Sequence, residues 1–289
     1  MRLRQVIFDF DGTSTLVEPV QEAFLAEYRR LLVEGVSQSF ADAWDDALQQ
    51  LAKASPEAAW STLSTVPAAP AYADPYIAAS ESVAWVQRQL AAMRLPIPSV
   101  PGDLYRRAYE RCAAPFRAEL PEVLESFVSR GIGVSFISNS SEVTIRNRLA
   151  DLLRTRPALE GQIAVRGDAK KFVTRELHPE EARALAPWMR KAFQQLKPAQ
   201  QRAGLERPIY LRRADYFRAL CRSWSKAKPS ETLVVGDIYE LDLAMPIALG
   251  CRVHLIERGA PFATQAYERS AVKAAKGRVS KDLTPLLDS

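Results

Sequence analysis

The sequence predicts an α/β protein: a Rossmann-like doubly wound parallel sheet interrupted by a helical domain. Three observations carry that expectation. Short apolar runs at residues 6–8, 132–137 and 231–235 each lead into polar residues, namely Asp9 and Asp11, Ser138 and Asn139, and Gly236 with Asp237. Runs of this kind read as parallel strands buried on both faces, with helices covering them. Helix-length segments alternate with the runs from residue 121 onward, the pattern of right-handed βαβ units. Between the first two runs lies a stretch of about a hundred residues with helical periodicity only.

Taken in order, the first run ends at Gly12-Thr13 and is followed by an amphipathic helix over residues 19–34. Its stripe is Val20, Phe24, Leu25, Tyr28, Leu31 and Leu32, with Gly35 as the stop. Ser39 is a candidate cap for a second helix containing Phe40, Trp44, Leu48 and Leu51. A loop with Pro67, Pro70 and Pro75 precedes a third helix at 77–93, and Pro96, Pro98 and Pro101 precede a fourth at 104–112. Trp44, Trp60 and Trp85 supply apolar mass for a core in this block. Pro121 opens the next helix, and Gly131 stops it before the second run. Further on, residues 143–153 read as helix, 162–165 and 172–174 as short strands, and 178–196 as a charged, inserted helix. Residues 208–211 read as a strand, 214–224 as a helix, 241–249 as a helix and 251–256 as a strand. The tail at 282–287 closes with a short helix. The expected division is a core made of 1–15 plus 121–289 and a helical cap at 16–120, with Pro-rich joints that favour movement.

The 289-residue chain is 47% hydrophobic and 25% charged, ordinary values for a globular protein. No uncharged apolar run is long enough for a membrane span, and Met1 to Gln5 lead straight into the first strand with no room for a signal peptide. The three scattered cysteines, Cys112, Cys221 and Cys251, form neither a disulfide framework nor a metal cluster. A reducing, cytoplasmic compartment is the expectation. The net charge of +5 is unevenly spread: residues 165–230 hold 16 Lys+Arg against 6 Asp+Glu, whereas residues 16–125 hold 9 against 15. The basic stretch suits an anionic substrate or a solvated helical face; no motif for nucleic-acid recognition accompanies it.

In a parallel sheet the carboxyl ends of the strands share one edge, so Asp9, Asp11, Ser138 and Asp237 are expected to converge there. Carboxylates that close repel unless a cation lies between them. The series Asp9-Phe10-Asp11-Gly12-Thr13, the strand-ending Ser138 and the run Gly236-Asp237-Ile238-Tyr239-Glu240-Leu241-Asp242 together resemble the haloacid dehalogenase superfamily, in its phosphatase branch with a helical cap. The resemblance covers residues 6–13 and 132 onward. It implies a Mg²⁺-dependent phosphohydrolase acting on a small phosphorylated metabolite through an aspartyl-phosphate. Asp9 is then the nucleophile and Asp11 the general acid and base, with the Asp11 backbone carbonyl completing a metal set of Asp9, Asp237 and Asp242. Ser138 suits a phosphate oxygen, and Asn139 either touches substrate or orients its loop.

The phosphate-binding cation is open between Arg213, placed first, and Lys171, placed second, with Arg212 and Lys170 beside them; Lys228 is assigned to a turn. Ser14-Thr15 stands where the family has leucine, which bears on the hinge of the cap. His178 and His254 take no part. Two other readings stand beside the hydrolase: a phosphomutase or phosphotransferase using the same intermediate, and a catalytically idle binding protein with the same fold.

Overall fold

A computed structural model describes residues 2–60, 68–224 and 227–288; Met1 and Pro67 lie outside that range. Among the described residues, six parallel strands form one sheet in the order β3-β2-β1-β6-β7-β8. They are β1 (Gln5–Phe8), β2 (Gly133–Ile137), β3 (Ile163–Arg166), β6 (Thr232–Gly236), β7 (Arg252–Ile256) and β8 (Arg278–Ser280). A separate antiparallel pair is made by β4 (Ala199–Arg202) and β5 (Leu205–Tyr210). The first strand is central, with Gln5 opposite both Gly133 and Thr232.

Successive side chains of a strand leave opposite faces, and the two faces have separate cores. Val6, Phe8, Val134, Phe136 and Val235 pack with Leu120, Val123 and Phe127 of helix α5 (Leu120–Ser129) and with Ile145 and Leu149 of α6 (Glu142–Arg154). Ile7, Val234, Val253 and Leu255 pack on the other face. Their partners include Phe217 and Leu220 of α9 (Ala214–Ser223) and Ala271 and Val272 of α11 (Ala266–Ala274). Both faces are therefore covered, which is why the runs in the sequence are apolar throughout rather than alternating.

Four helices stand between β1 and α5: α1 (Gln21–Gly35), α2 (Gln38–Ala54), α3 (Pro75–Ala92) and α4 (Leu104–Arg111). Phe24, Tyr28, Leu31, Leu32, Trp44, Tyr76 and Tyr109 form a core of their own. Ser37 rather than Ser39 caps α2, its hydroxyl accepting from the Phe40 N–H at 3.1 Å. Asp74 caps α3 through the Ile77 N–H at 2.6 Å. Trp60 does not join this core; it packs on Phe172, 4.5 Å between ring centres.

The block is fastened to the rest of the chain at both ends. Thr15 bridges Phe116 near its root. At the far end Glu57 accepts from the backbone N–H groups of Glu206 and Arg207. The Arg207 guanidinium in turn reaches the Pro56 carbonyl and pairs with Glu240 at 2.8 Å through both nitrogens.

Four sequence expectations differ from the structure. Residues 172–174 form no strand, Phe172 lying in a turn and the next two in irregular chain, and β8 was not anticipated. The expected helix at 178–196 is two, α7 (Pro179–Ala184) and α8 (Pro187–Gln195), because Pro187 has no N–H to continue the first and is well placed to open the second. Residues 208–211 fall largely in β5, which pairs with β4 and lies outside the main sheet. The segment at 241–249 begins with a single π turn (Tyr239–Leu243), followed by α10 (Ala244–Ala248). No described helix is long and apolar enough to cross a membrane.

His254, on β7, is only 1% exposed, and its Nε2 lies 2.6 Å from the Ser280 hydroxyl. Burial, with Arg278 nearby, depresses its pKa from 6.5 to about 4. The unfolded chain therefore takes up the proton first. The stability that neutral His254 permits is complete above pH 6.5 and is lost as the pH falls towards 4. Between pH 7 and 4.5 the wild type is expected to lose about 2.5 kcal/mol more than His254→Gln, measured by urea unfolding. Equal losses in the two proteins would refute the assignment.

Candidate active site

The chain leaves β1 at Phe8, and the Asp9 N–H still bonds the Val235 carbonyl at 2.9 Å, so Asp9 stands at the carboxyl edge of the sheet. Gly12 then turns the chain with φ +79°, and a Cβ there would lie 2.4 Å from the Asp237 carboxylate. Only glycine satisfies both demands. Gly236 permits only the close approach on the neighbouring strand, where a Cβ would clash with the Cβ of Asp242. The π turn after Ile238 folds Asp242 back over the strand end, and its Oδ2 accepts from the Ile238 N–H at 3.0 Å.

These turns bring Asp9, Asp237 and Asp242 together, with one carboxylate oxygen from each within 4.8 Å of the others. Lys171 stands among them, its Nζ 2.6 Å from Asp9 Oδ1 and 2.8 Å from Asp242 Oδ1. It is 2% exposed. Burial weakens its hold on the proton, but Asp242 and Asp9 more than restore it, so its pKa lies above the ordinary lysine value. Burial raises Asp9 from 3.8 to about 7; Asp242 and Asp11 add to the rise, and Lys171 opposes it. Burial, then Asp242, holds Asp237 well above the usual carboxylate range. Two of these three carboxylates thus share one ammonium, with the third beside them. A hard divalent cation would relieve that excess of negative charge, and an all-oxygen donor set suits Mg²⁺.

The structure separates Asp11 from this cluster. Its carboxylate receives the Tyr109 hydroxyl on Oδ1 and the Ser140 hydroxyl on Oδ2, both at 2.6 Å, and Arg148 lies 3.8 Å away. The side chain of Asp11 is accordingly not among the converging acidic oxygens. Ser138 is buried and its hydroxyl accepts from the Ser140 N–H at 3.1 Å. Asn139 faces the Lys171 loop and accepts from the Lys171 N–H at 2.7 Å.

Arg213, the first choice for the phosphate cation, is engaged by backbone carbonyls instead of the acidic cluster. It is fully buried, and its guanidinium donates to the carbonyls of Tyr210, Lys171, Glu240 and Ala68 at 3.0, 3.1, 2.6 and 2.8 Å. Those carbonyls take up its donors, and it braces the two segments that carry Lys171 and Asp242. Arg212 reaches the Leu196 carbonyl and Glu176, away from the acidic cluster. Lys170 adopts φ +45° in the turn before Lys171, and Lys228 begins the turn ahead of β6.

Several contributors were given no role at the site from the sequence. Thr13 donates to Asp237 Oδ1 at 2.9 Å, and the Ser14 hydroxyl donates to the Asp9 carbonyl at 2.7 Å. Arg117 holds the Gly12 and Thr13 carbonyls, both at 2.9 Å. Arg258 holds the Asp237 carbonyl and is itself paired with Glu268 at 2.8 Å. Thr13 closes the first motif and Ser14 follows it, where polar residues next to buried carboxylates are a usable signal. Arg117, Tyr109 and Arg258 have no local signature.

No profile of a known protein family matches the chain, and no curated protein does. Solved structures do. The chain is similar to a predicted phosphoglycolate phosphatase from Haemophilus somnus 129PT, with TM-score 0.51 and 13% identity over 100% of this chain and 98% of that one. It is also similar to the HAD-type hydrolase YfnB from Bacillus subtilis, solved with magnesium bound (TM-score 0.48, 15% identity, 100% and 98% covered). A third is the L-2-haloacid dehalogenase RSc1362 (0.42, 14%, 100% and 98%). The first of these comparisons carries the fold: the chain has the haloacid dehalogenase-like fold, a Rossmann-like α/β sheet with flanking helices.

Proposed function

We propose that the protein is a Mg²⁺-dependent phosphohydrolase that acts on a small phosphate ester through an aspartyl-phosphate on Asp9. The observation that carries the reading is the meeting of Asp9, Asp237 and Asp242 around Lys171, with Asp11 held apart by hydroxyl donors. Asp9, Asp237 and the Asp11 backbone carbonyl would hold the cation, with Asp242 beside them. When bound, Mg²⁺ supplies positive charge that lets an anionic nucleophile approach an anionic ester.

The chain's own residues do the rest. Lys171 occupies Asp9 Oδ1, so Oδ2 is the attacking atom; the Oδ2–P bond forms as the ester O–P bond breaks. Asp11 gives its proton to the departing alcohol. In the second step it takes a proton from the water that attacks phosphorus and frees Asp9. Expulsion of a halide needs no acid at the Asp11 position, which favours phosphate esters over haloacids. The buried thiols of Cys221 and Cys251 agree with a reducing, cytoplasmic setting.

The direct test is release of inorganic phosphate from a panel of aliphatic phosphate esters, with Mg²⁺ and with EDTA. Transfer to an added alcohol in place of release would favour a phosphotransferase. Silence across the panel would favour an idle binding protein. Independently of turnover, Mg²⁺ at a hundred times its Kd is expected to stabilise the fold by about 2.7 kcal/mol. Calorimetric melting of Asp237→Asn should show a much smaller shift; an unchanged shift would remove Asp237 from the cation site.

A further inference from the structure

Several of the basic residues concentrated over 165–230 are already engaged. Lys171 serves the acidic cluster, Arg213 braces it, and Arg175, Arg207, Arg212 and Arg218 pair with carboxylates. Lys197 and Arg202 make no ion pair among the described residues, and both line one pocket of about 550 Å³. It lies between the end of α8, the strand β4 and the end of α10. No acidic residue lines it. It shares no lining residue with the far smaller cavity beside Asp11 and Asp237.

The local chain explains how this wall is made. Gly204, with φ +83°, turns β4 into β5, and the pairing of the two strands shifts register between Gln200 and Arg202. Irregularities of this kind re-aim side chains. Arg202 is half-buried; its Nη2 donates to Gln200 Oε1 at 3.3 Å, and Gln200 Nε2 donates to the Tyr239 hydroxyl at 3.2 Å. The guanidinium carbon stands 6.0 Å from the centre of the Tyr239 ring. Arg202 is therefore held in place ahead of any ligand. Its Nε is nevertheless buried without a hydrogen-bond partner, which is rare for a charged donor. The charge is built into the wall and left without a counter-charge.

The rest of the lining narrows the ligand. Two cations match a dianion, and a guanidinium suits a phosphate. Gln195 has no side-chain partner among the described residues, and Gln201 keeps its side-chain oxygen free after donating to the Leu205 and Glu206 carbonyls at 2.8 Å. Amides with free donors and acceptors suit a body rich in heteroatoms, and Leu196 and Leu211 offer it apolar contact. A volume of about 550 Å³ lies within the range of pockets that hold whole metabolites and far exceeds the needs of a lone inorganic anion.

We propose that this pocket is a second ligand site, and that it takes a nucleoside monophosphate, with Arg202 and Lys197 on the phosphate. The site stands apart from the acidic cluster and does not depend on the phosphohydrolase reading.

The test is calorimetric titration of the full chain with AMP, adenosine and inorganic phosphate in EDTA. Without a divalent cation the acidic cluster repels anions, so binding reports the second site. One AMP per chain is expected, at least about tenfold tighter than adenosine and than inorganic phosphate. Arg202→Gln is expected to weaken AMP at least about tenfold. Lys197→Gln, at an exposed residue with no partner to lose, is expected to weaken it about threefold without disturbing the fold. Asp237→Asn should leave AMP affinity unchanged. No binding of AMP, or equal binding of adenosine, overturns the anion site. Inorganic phosphate that binds as tightly as AMP overturns the ligand class. Wild-type affinity in both Arg202→Gln and Lys197→Gln, or a tenfold change in Asp237→Asn, overturns the location.

Discussion

Asp9→Asn is expected to lower kcat for phosphate-ester hydrolysis by about 10⁴-fold or more, because the amide cannot form the acyl phosphate on which both steps depend. The same variant should melt no lower than wild type in EDTA. Asp9 sits in a buried cluster with Asp237 and Asp242, and burial lifts its pKa to about 7. A carboxyl whose folded pKa is raised above its unfolded value costs stability at higher pH, and the neutral amide is spared that cost. The two readouts separate chemistry from folding. Turnover within tenfold of wild type would end the aspartyl-phosphate account, and a large fall in melting temperature would show Asp9 to be a structural partner of Lys171.

The second large effect concerns Arg213. Arg213→Met is expected to cost about 3–5 kcal/mol of stability, since four backbone carbonyls lose a charged donor inside the protein. Urea unfolding at pH 7 gives the value directly. Arg213→Lys should recover only part of it, because an ammonium cannot reach carbonyls spread around a planar guanidinium. A loss below about 1 kcal/mol would mean that the carbonyls find other donors and that Arg213 is no brace.

The contrast between Asp9 and Arg213 shows what the sequence could reveal. Asp9, Asp11 and Asp237 were legible because each follows an apolar run by a fixed short step, and strand ends of a parallel sheet must share an edge. The order β3-β2-β1-β6-β7-β8 realises that expectation. The lysine beside the acidic cluster was not legible in the same way. Arg213 precedes the helix that leads to β6, which made it the stronger candidate by position. Lys171 stands before α7, α8 and the β4–β5 pair, and only the folded path returns it to Asp9 and Asp242. Asp11 was legible as a residue but not in its surroundings, since Tyr109 is 98 positions away and belongs to a separately packed helical block. The helical periodicity correctly anticipated α1 to α4. The charged helix expected over 178–196 overran at Pro187, where the missing N–H ends one helix and the next begins.

The central place of β1 has a consequence for synthesis. Val6, Ile7 and Phe8 are made long before β6, one of their two flanking strands, and the Thr13 hydroxyl must wait for a carboxylate 224 positions downstream. Contacts of such long range are closed late and at a cost in chain entropy. A ribosome-bound nascent chain that stops short of Thr232 therefore carries β1 with one edge unpaired and exposed to association with other chains. Assembly of the acidic cluster and burial of that edge become a single late event in the life of the polypeptide.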